Sequence, residues 1–360
     1  MNDKIEKIQT QLKKDGKDGL LIETKAMKKY LQTLTGSGCK LFVTQTEVFL
    51  LVDGRYYEQA KQKKDNMLVV LVNREAIYPN AYEWIIDFMK SHKMSELAIE
   101  SSIDLKTFLY LKQQVKISFY DDLLLYLRSK KDAHEIQKIE SAIHLSEQIY
   151  YQVISEIKVG MTDYEISAKL QYYAISAGAA GMSFDTIIGI GEKSAYPHVR
   201  PSGSYVQKNE PIMIDFGIIY DDYQSDMTRI VCVGEPKKQI REIHQVVVQA
   251  NEAGIASMKA GVLAKEADLA ARKVIEEAGY GPYFTHGLGH GIGLDNSNEL
   301  PKINQVCEMA LEDGMVMSCE PGIYIPSVGG IRIEDVVLID HGKPRILTSV
   351  DKEIKILEEK

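Results

Sequence analysis

Ile212-Met-Ile-Asp-Phe-Gly217 and Ser225-Asp-Met-Thr-Arg-Ile-Val-Cys-Val233 are two apolar runs separated by the polar Tyr220-Asp-Asp-Tyr223. β-prone runs flanking turn-forming residues predict an antiparallel hairpin. Each arm carries one acid, Asp215 and Asp226, and a hairpin can bring both carboxylates to one face of the sheet. Further along, Gly314-Met-Val-Met-Ser-Cys-Glu320 and Gly330-Ile-Arg-Ile-Glu-Asp-Val-Val-Leu-Ile339 read as two more strands, with Glu320 and Glu334 inside or at the end of them. A carboxylate among Ile, Met and Val costs several kcal/mol unless a cation or hydrogen-bond donors compensate. Four such acids ask for a common explanation, and a pair of divalent metal ions balances their charge.

Other residues extend this cluster. His290, in Thr285-His-Gly-Leu-Gly-His-Gly-Ile-Gly293, supplies a nitrogen ligand. Arg332 and Glu334 are two apart on one strand and share a face, so the arginine can orient a ligand or bind a substrate carboxylate. Oxygen-dominated ligation with one imidazole suits Mn(II) or Co(II) better than a structural zinc site. His286 and His290 are four apart, but the residues between them include two glycines and no glutamate, so a helical zinc-protease motif is excluded. Gly189-Ile-Gly-Glu-Lys-Ser194 has Glu192 where a phosphate loop needs glycine before its lysine, which argues against nucleotide binding. Tyr324 reads as packing.

The chain has 360 residues, 45% hydrophobic and 26% charged, which fits a two-domain globular protein. Its formal charge of −8 argues against a nucleic-acid binder. Local basic clusters such as Lys61-Gln-Lys-Lys64 read as solvated helix faces. Cys39, Cys232, Cys307 and Cys319 show no CxxC spacing, so neither a disulfide framework nor a structural zinc site is expected. No signal peptide or membrane span is read, which places the protein in the cytoplasm. The first third alternates helices with strands at Gly19-Leu-Leu-Ile22, Leu41-Phe-Val-Thr44, Val48–Val52 and 67–72, an α/β pattern. A charged run over 127–135 marks the boundary, giving domains at 1–130 and 131–360. Beyond it, amphipathic helices over 134–158, 163–177, 237–259 and 264–278 alternate with paired strands, an α+β pattern.

Five motifs then make the chain recognisable. They are Tyr196-Pro-His-Val-Arg-Pro-Ser202, Asp215-Phe-Gly…Ser225-Asp-Met-Thr-Arg229, His286-Gly-Leu-Gly-His-Gly-Ile-Gly-Leu294, Glu320-Pro-Gly-Ile-Tyr-Ile-Pro326 and Gly330-Ile-Arg-Ile-Glu-Asp335. In this order they resemble the pita-bread metallopeptidases, and within them aminopeptidase P and prolidase. Leu34-Thr-Gly-Ser-Gly38 and Val52-Asp-Gly-Arg-Tyr56 resemble the family's creatinase-like N-terminal domain. The resemblance implies a creatinase-like α/β domain followed by an α+β pita-bread catalytic domain. It implies that Asp215, Asp226, His290, Glu320 and Glu334 hold two divalent ions, Mn(II) ahead of Co(II) or Zn(II), bridged by Asp226 and Glu334. A shared water would attack the scissile carbonyl, with Glu320 as proton acceptor. His198 and His286 match histidines expected to contact the substrate, alongside Arg332.

The activity implied first is that of an Xaa-Pro aminopeptidase, a hydrolase releasing the residue before proline from peptides with proline second. Prolidase, which splits Xaa-Pro dipeptides, is the alternative; a peptide-binding protein with the fold but little catalysis is the reading from another class. Methionine aminopeptidase shares the five ligands but usually lacks the long N-terminal domain. Creatinase lacks the metal carboxylates. A homodimer is the family expectation, with no nucleic-acid or membrane partner. The chain departs from the family at Asp295-Asn-Ser-Asn-Glu299, one residue longer than the usual Asp-Val-His-Glu and without its histidine. Ser297 and Asn298 are the candidates to donate a hydrogen bond in that histidine's place.

Overall fold

The computed structural model describes residues 3–63, 67–73 and 79–359. It divides into two compact units, Met1–Leu125 and Tyr126–Lys360.

The first unit is built on a six-stranded mixed sheet. Gly19–Ile22 at its centre pairs antiparallel with Cys39–Thr44 and parallel with Glu96–Ile99. Val48–Val52 and then Leu68–Leu71 extend one side, and Lys116–Phe119 the other. Gly19–Ile22 and Val48–Val52 are apolar throughout and buried on both faces, as expected where helices cover a sheet. Phe42 and Phe49 of the sheet meet Phe88 of the helix Ala81–Ser91 edge to face, and Phe88 stacks on Trp84 of the same helix. The α/β reading of this third of the chain therefore holds. In the basic cluster, Lys61 is on the helix Tyr57–Gln62 and pairs with exposed Glu58; Lys64 lies outside the described residues.

The second unit mixes helices with largely antiparallel sheets. Its helices are Ala133–Ile154, Asp163–Ser176, Lys238–Ser257 and Ala264–Glu277. Two of them start at capping boxes, Asp132 with Glu135 and Thr162 with Glu165, where side chains satisfy the free N–H groups of the first turn. Pro211–Phe216 pairs antiparallel with Met227–Val233, placing Thr228 opposite Asp215. Asp221 and Asp222 turn the hairpin with positive φ, a conformation that aspartate tolerates better than bulkier residues. Asp226 is two residues from Thr228, so it shares a face with Asp215.

One sequence expectation changes. Gly330–Ile339 is not one strand but two, Gly329–Arg332 and Asp335–Asp340. The first pairs with Gly322–Ile325 and the second with Val316–Cys319. At the break, Ile333 and Glu334 leave both ladders, and the Glu334 N–H donates instead to the Thr228 carbonyl at 3.2 Å. The switch of partners ties Glu334 to the Asp215–Asp226 hairpin.

Candidate metal centre

The eight residues expected to hold the metals or meet the substrate, Asp215, Asp226, His290, Glu320, Glu334, His198, His286 and Arg332, line one cavity of about 420 Å³ in the second unit. Asp215 and Asp226 come from the hairpin and Glu320 from the end of Val316–Cys319. Glu334 comes from the strand break and His290 from the glycine-rich segment. Asp226, His290 and Glu334 each place one donor atom within 4.8 Å of the others. Glu320 adjoins this group, its Oε1 lying 3.5 Å from His290 Nε2. Asp215 is held differently: its Oδ2 accepts a hydrogen bond from Arg332, while its Oδ1 is buried with no hydrogen-bond partner among the described residues.

The charges in this cavity are out of balance without a cation. Burial, then repulsion from Asp215 and Glu320, pushes the Asp226 carboxyl well above its ordinary range. Burial, then repulsion from Asp226, does the same to Glu334. Asp215 is also raised by burial, in spite of Arg332. Carboxylates crowded in this way accept either protons or a metal. The histidine tautomer favours the metal: His290 Nδ1 donates to the Gly291 carbonyl at 3.0 Å, which leaves the Nε2 lone pair facing Asp226 and Glu320. The donor set and the unpartnered Asp215 oxygen fit hard divalent ions.

Around the acids, uncharged groups fix positions. Thr228 Oγ1 donates to Glu334 at 2.8 Å and accepts from Arg332 Nε at 3.2 Å. Ser318 Oγ donates to Glu320 at 3.2 Å and accepts the His290 N–H at 3.0 Å. Asn251, on the apolar face of Lys238–Ser257, donates to the Cys319 carbonyl at 2.8 Å and to the Ile333 carbonyl at 3.4 Å. Those carbonyls immediately precede Glu320 and Glu334, so one amide fixes both approaches. An asparagine on an otherwise apolar helix stripe is the sequence signal that could have found it.

His198 is exposed and lines the cavity, whereas His286 has both ring nitrogens engaged. Its Nδ1 donates to the Gly287 carbonyl at 2.7 Å, and its Nε2 accepts the Tyr324 hydroxyl at 2.8 Å. Burial keeps this imidazole neutral by lowering its pKa. Tyr324 Oη in turn accepts from Arg332 Nη1 at 2.8 Å. Asp215, Arg332, Tyr324 and His286 thus form a continuous hydrogen-bonded chain. The reading of Tyr324 as packing missed this, because a tyrosine among Ile and Pro gives no sign of where its hydroxyl points. Burial pushes that hydroxyl up to about 12, so it stays protonated and can donate.

The segment that departs from the family pattern also differs from expectation. Ser297 and Asn298 are both exposed and do not line the cavity. Asn296 is the residue turned inward, its amide 3.4 Å from Asp226 Oδ2. Glu299 is buried against Arg128 at 2.5 Å and accepts the Leu294 N–H at 3.0 Å, which fixes the loop. In the preceding segment Gly287, Gly289 and Gly291 leave no space for side chains. A Cβ on Gly287 would lie 2.8 Å from the Ile303 carbonyl oxygen, and on Gly289 or Gly291 it would collide with the Ser318 or Leu300 carbonyl.

A buried acid cluster with one exposed-edge imidazole, on this α+β framework, defines a metallopeptidase, and comparison with known proteins agrees. Metallopeptidase family M24 matches residues 137–341, and the creatinase/prolidase N-terminal domain matches residues 4–129. The chain belongs to metallopeptidase family M24, with a creatinase-like domain ahead of a pita-bread catalytic domain. It is similar to an Xaa-Pro dipeptidase of Pyrococcus horikoshii, 35% identical over 358 residues, 98% of this chain and 99% of that protein. Among solved structures it resembles an Xaa-Pro dipeptidase from Bacillus anthracis, with a TM-score of 0.93 and 31% identity over 99% of both chains. It also resembles an X-Pro aminopeptidase from Thermotoga maritima, with a TM-score of 0.87 and 35% identity over 95% of this chain and 98% of that one. Among the described residues no helix is long and apolar enough to cross a membrane.

Proposed function

We propose that this metallopeptidase is an Xaa-Pro dipeptidase, which reverses the order of preference read from the sequence. The observation that carries this reading is Lys302. It lines the cavity, is half-buried, donates only to the Ser297 carbonyl at 3.2 Å and forms no ion pair among the described residues. Burial lowers its pKa, the mark of a cation short of hydration. A dipeptide brings a free carboxylate one residue beyond the scissile bond, and a waiting ammonium complements it. The dipeptidases of Pyrococcus horikoshii and Bacillus anthracis, similar along the whole chain, support the same reading.

In this proposal Asp215, Asp226, His290, Glu320 and Glu334 hold two divalent ions, Mn(II) before Co(II) or Zn(II). When bound, the ions would acidify a water and neutralise charge developing on the substrate carbonyl. Glu320 is placed to take the proton from that water, since its carboxylate is at the open side of the cluster. Arg332 orients Asp215 and holds the Tyr324 hydroxyl toward His286; His198 and His286 border the peptide. We assign this chemistry to a catalytic domain over 131–360, and place the protein in the cytoplasm as a homodimer. The free thiols of Cys39, Cys232, Cys307 and Cys319 support a reducing compartment.

The aminopeptidase reading keeps one observation in its favour, a groove bordered by Thr285, Asn304 and Val306 that adjoins the cavity at His286 and Gly287. The test is to incubate metal-stripped protein with Ala-Pro, Ala-Pro-amide and Ala-Pro-Ala, with and without Mn(II), and identify products by mass. Metal-dependent cleavage of Ala-Pro alone, with Lys302→Met raising its KM by about tenfold or more, supports a dipeptidase. Equal cleavage of Ala-Pro-Ala with Lys302→Met unchanged would establish the aminopeptidase. No cleavage under any metal would favour a binding protein.

A further inference from the structure

The helix Ala264–Glu277 carries a buried ion pair outside the acid cluster, between Asp268 and Arg272. Asp268 is fully buried and Arg272 is 9% exposed. Arg272 Nε and Nη2 donate to the two Asp268 oxygens at 2.9 and 3.2 Å. A pair needed only for helix stability would stop there, since i,i+4 pairs contribute little by themselves. This one continues into the backbone of the histidine segment. Arg272 Nη1 donates to the Phe284 carbonyl at 2.9 Å, Nη2 donates to the His286 carbonyl at 2.8 Å, and Asp268 Oδ1 accepts the Leu288 N–H at 2.9 Å. The guanidinium also lies over the Phe284 ring, 4.1 Å from its centroid. Three alternate residues, Phe284, His286 and Leu288, are therefore held by one charged pair, just ahead of His290.

From Gly289 onward the segment is held by pairing with Lys302–Ile303 and by Ser318, which accepts the His290 N–H, but the carbonyls of Phe284 and His286 and the N–H of Leu288 are held by this pair. Gly287, Gly289 and Gly291 carry no side chains to pack, and glycine is the residue with most backbone freedom to lose. The pair leaves its neighbours fixed, because a guanidinium has a rigid fork of donors and a carboxylate beside it prevents rotation. We propose that Asp268 and Arg272 are positioning residues for the metal centre, setting the backbone from which His286 faces the substrate and His290 faces the metal. This rests on the assignment of His290 as a metal ligand and of His286 as bordering the substrate.

The test compares the wild type with Asp268→Leu/Arg272→Met and with Arg272→Lys. The double variant replaces the buried charges together by apolar groups of similar size, a change that folds tolerate where a single unpaired charge is not. Thermal unfolding, Mn(II) affinity by calorimetry and kcat/KM on Ala-Pro are measured for each. The expected result is a folded double variant whose Mn(II) affinity falls about tenfold and whose kcat/KM falls about 10- to 100-fold. Arg272→Lys, which keeps the charge but not the fork, should fall between it and the wild type. Wild-type metal affinity and kcat/KM in both variants would overturn the proposal, as would a lowered melting temperature with unchanged metal affinity. If the double variant does not fold, Arg272→Lys decides by the same criteria. A wild type that binds Mn(II) but cleaves no Xaa-Pro peptide would sink the dipeptidase reading, and the metal affinities would still decide this one.

Discussion

Replacing Asp226 by asparagine should stabilise the metal-free protein while abolishing its function. The donor atoms of Asp226 and Glu334 lie within 4.8 Å of each other. At an effective dielectric of about 20, two carboxylates at that separation repel by roughly 3 kcal/mol. Asparagine keeps the shape and removes the charge, so about 1–3 kcal/mol should be gained at pH 8 in EDTA. For a unit of this size that is on the order of 2–10 °C in melting temperature. The sign with pH follows from the raised pKa. Burial and the neighbouring acids hold the folded Asp226 carboxyl above its ordinary 3.8, so the folded state keeps a proton that the unfolded chain releases. Metal-free stability is therefore full at acid pH and lost as pH climbs past the ordinary carboxylate range. The gain in Asp226→Asn should accordingly shrink toward pH 4. Added Mn(II) should invert the order, since an ion at about 1,000 times its Kd stabilises the wild type by about 4.1 kcal/mol and the variant not at all. Differential scanning fluorimetry in EDTA and in Mn(II), at pH 8 and pH 4, measures each point. A variant that melts below the wild type in EDTA at pH 8 would refute the account of the acid cluster.

Three further outcomes are expected. Tyr324→Phe removes the hydroxyl between Arg332 and His286, so kcat/KM should fall about tenfold while Mn(II) affinity holds; steady-state kinetics and calorimetry check both, and full activity would mean the hydrogen-bonded chain is idle. Neither Ser297→His nor Asn298→His should change kcat/KM beyond about twofold, because both residues are exposed, neither lines the cavity, and Lys302 bonds only the backbone carbonyl of Ser297; a large gain in either would show that a histidine is needed there. His244 is buried, with its pKa lowered by that burial and its Nε2 bonded to the Lys352 carbonyl at 2.8 Å. Its contribution to stability is complete above the unfolded value of about 6.5 and lost as pH falls below it, so His244→Gln should flatten the decline between pH 7 and pH 5 in urea unfolding.

Much of this centre was legible because expensive residues announce themselves. Asp215, Asp226, Glu320 and Glu334 stand out as charges in apolar strands, and the hairpin that joins the first two follows from Tyr220-Asp-Asp-Tyr223. The helices were equally readable from their apolar periodicity. What could not be read were the neutral partners. Thr228, Asn251 and Tyr324 act through hydrogen bonds whose direction depends on tertiary packing, and a hydroxyl or amide in a sequence does not reveal its partner. Lys302 was overlooked for a related reason: a lone lysine reads as surface until the cavity beside it is seen. The strand break at Glu334 was also hidden, since the run from Ile331 to Ile339 keeps a β-prone composition through the point where its pairing changes.

The glycines around His286 and His290 set limits on how this protein could be re-engineered. With Gly289 and Gly291 pressed against the carbonyls of Ser318 and Leu300, a mutagenesis library spread over 286–293 would consist mostly of misfolded clones, whatever property was selected. The neighbouring strand offers two more permissive positions: Lys302 and Asn304 also line the cavity, and neither is tied into a buried charge pair among the described residues. A campaign to alter which peptides are accepted should therefore randomise Lys302 and Asn304, and leave the buried Ile303 and the histidine segment untouched.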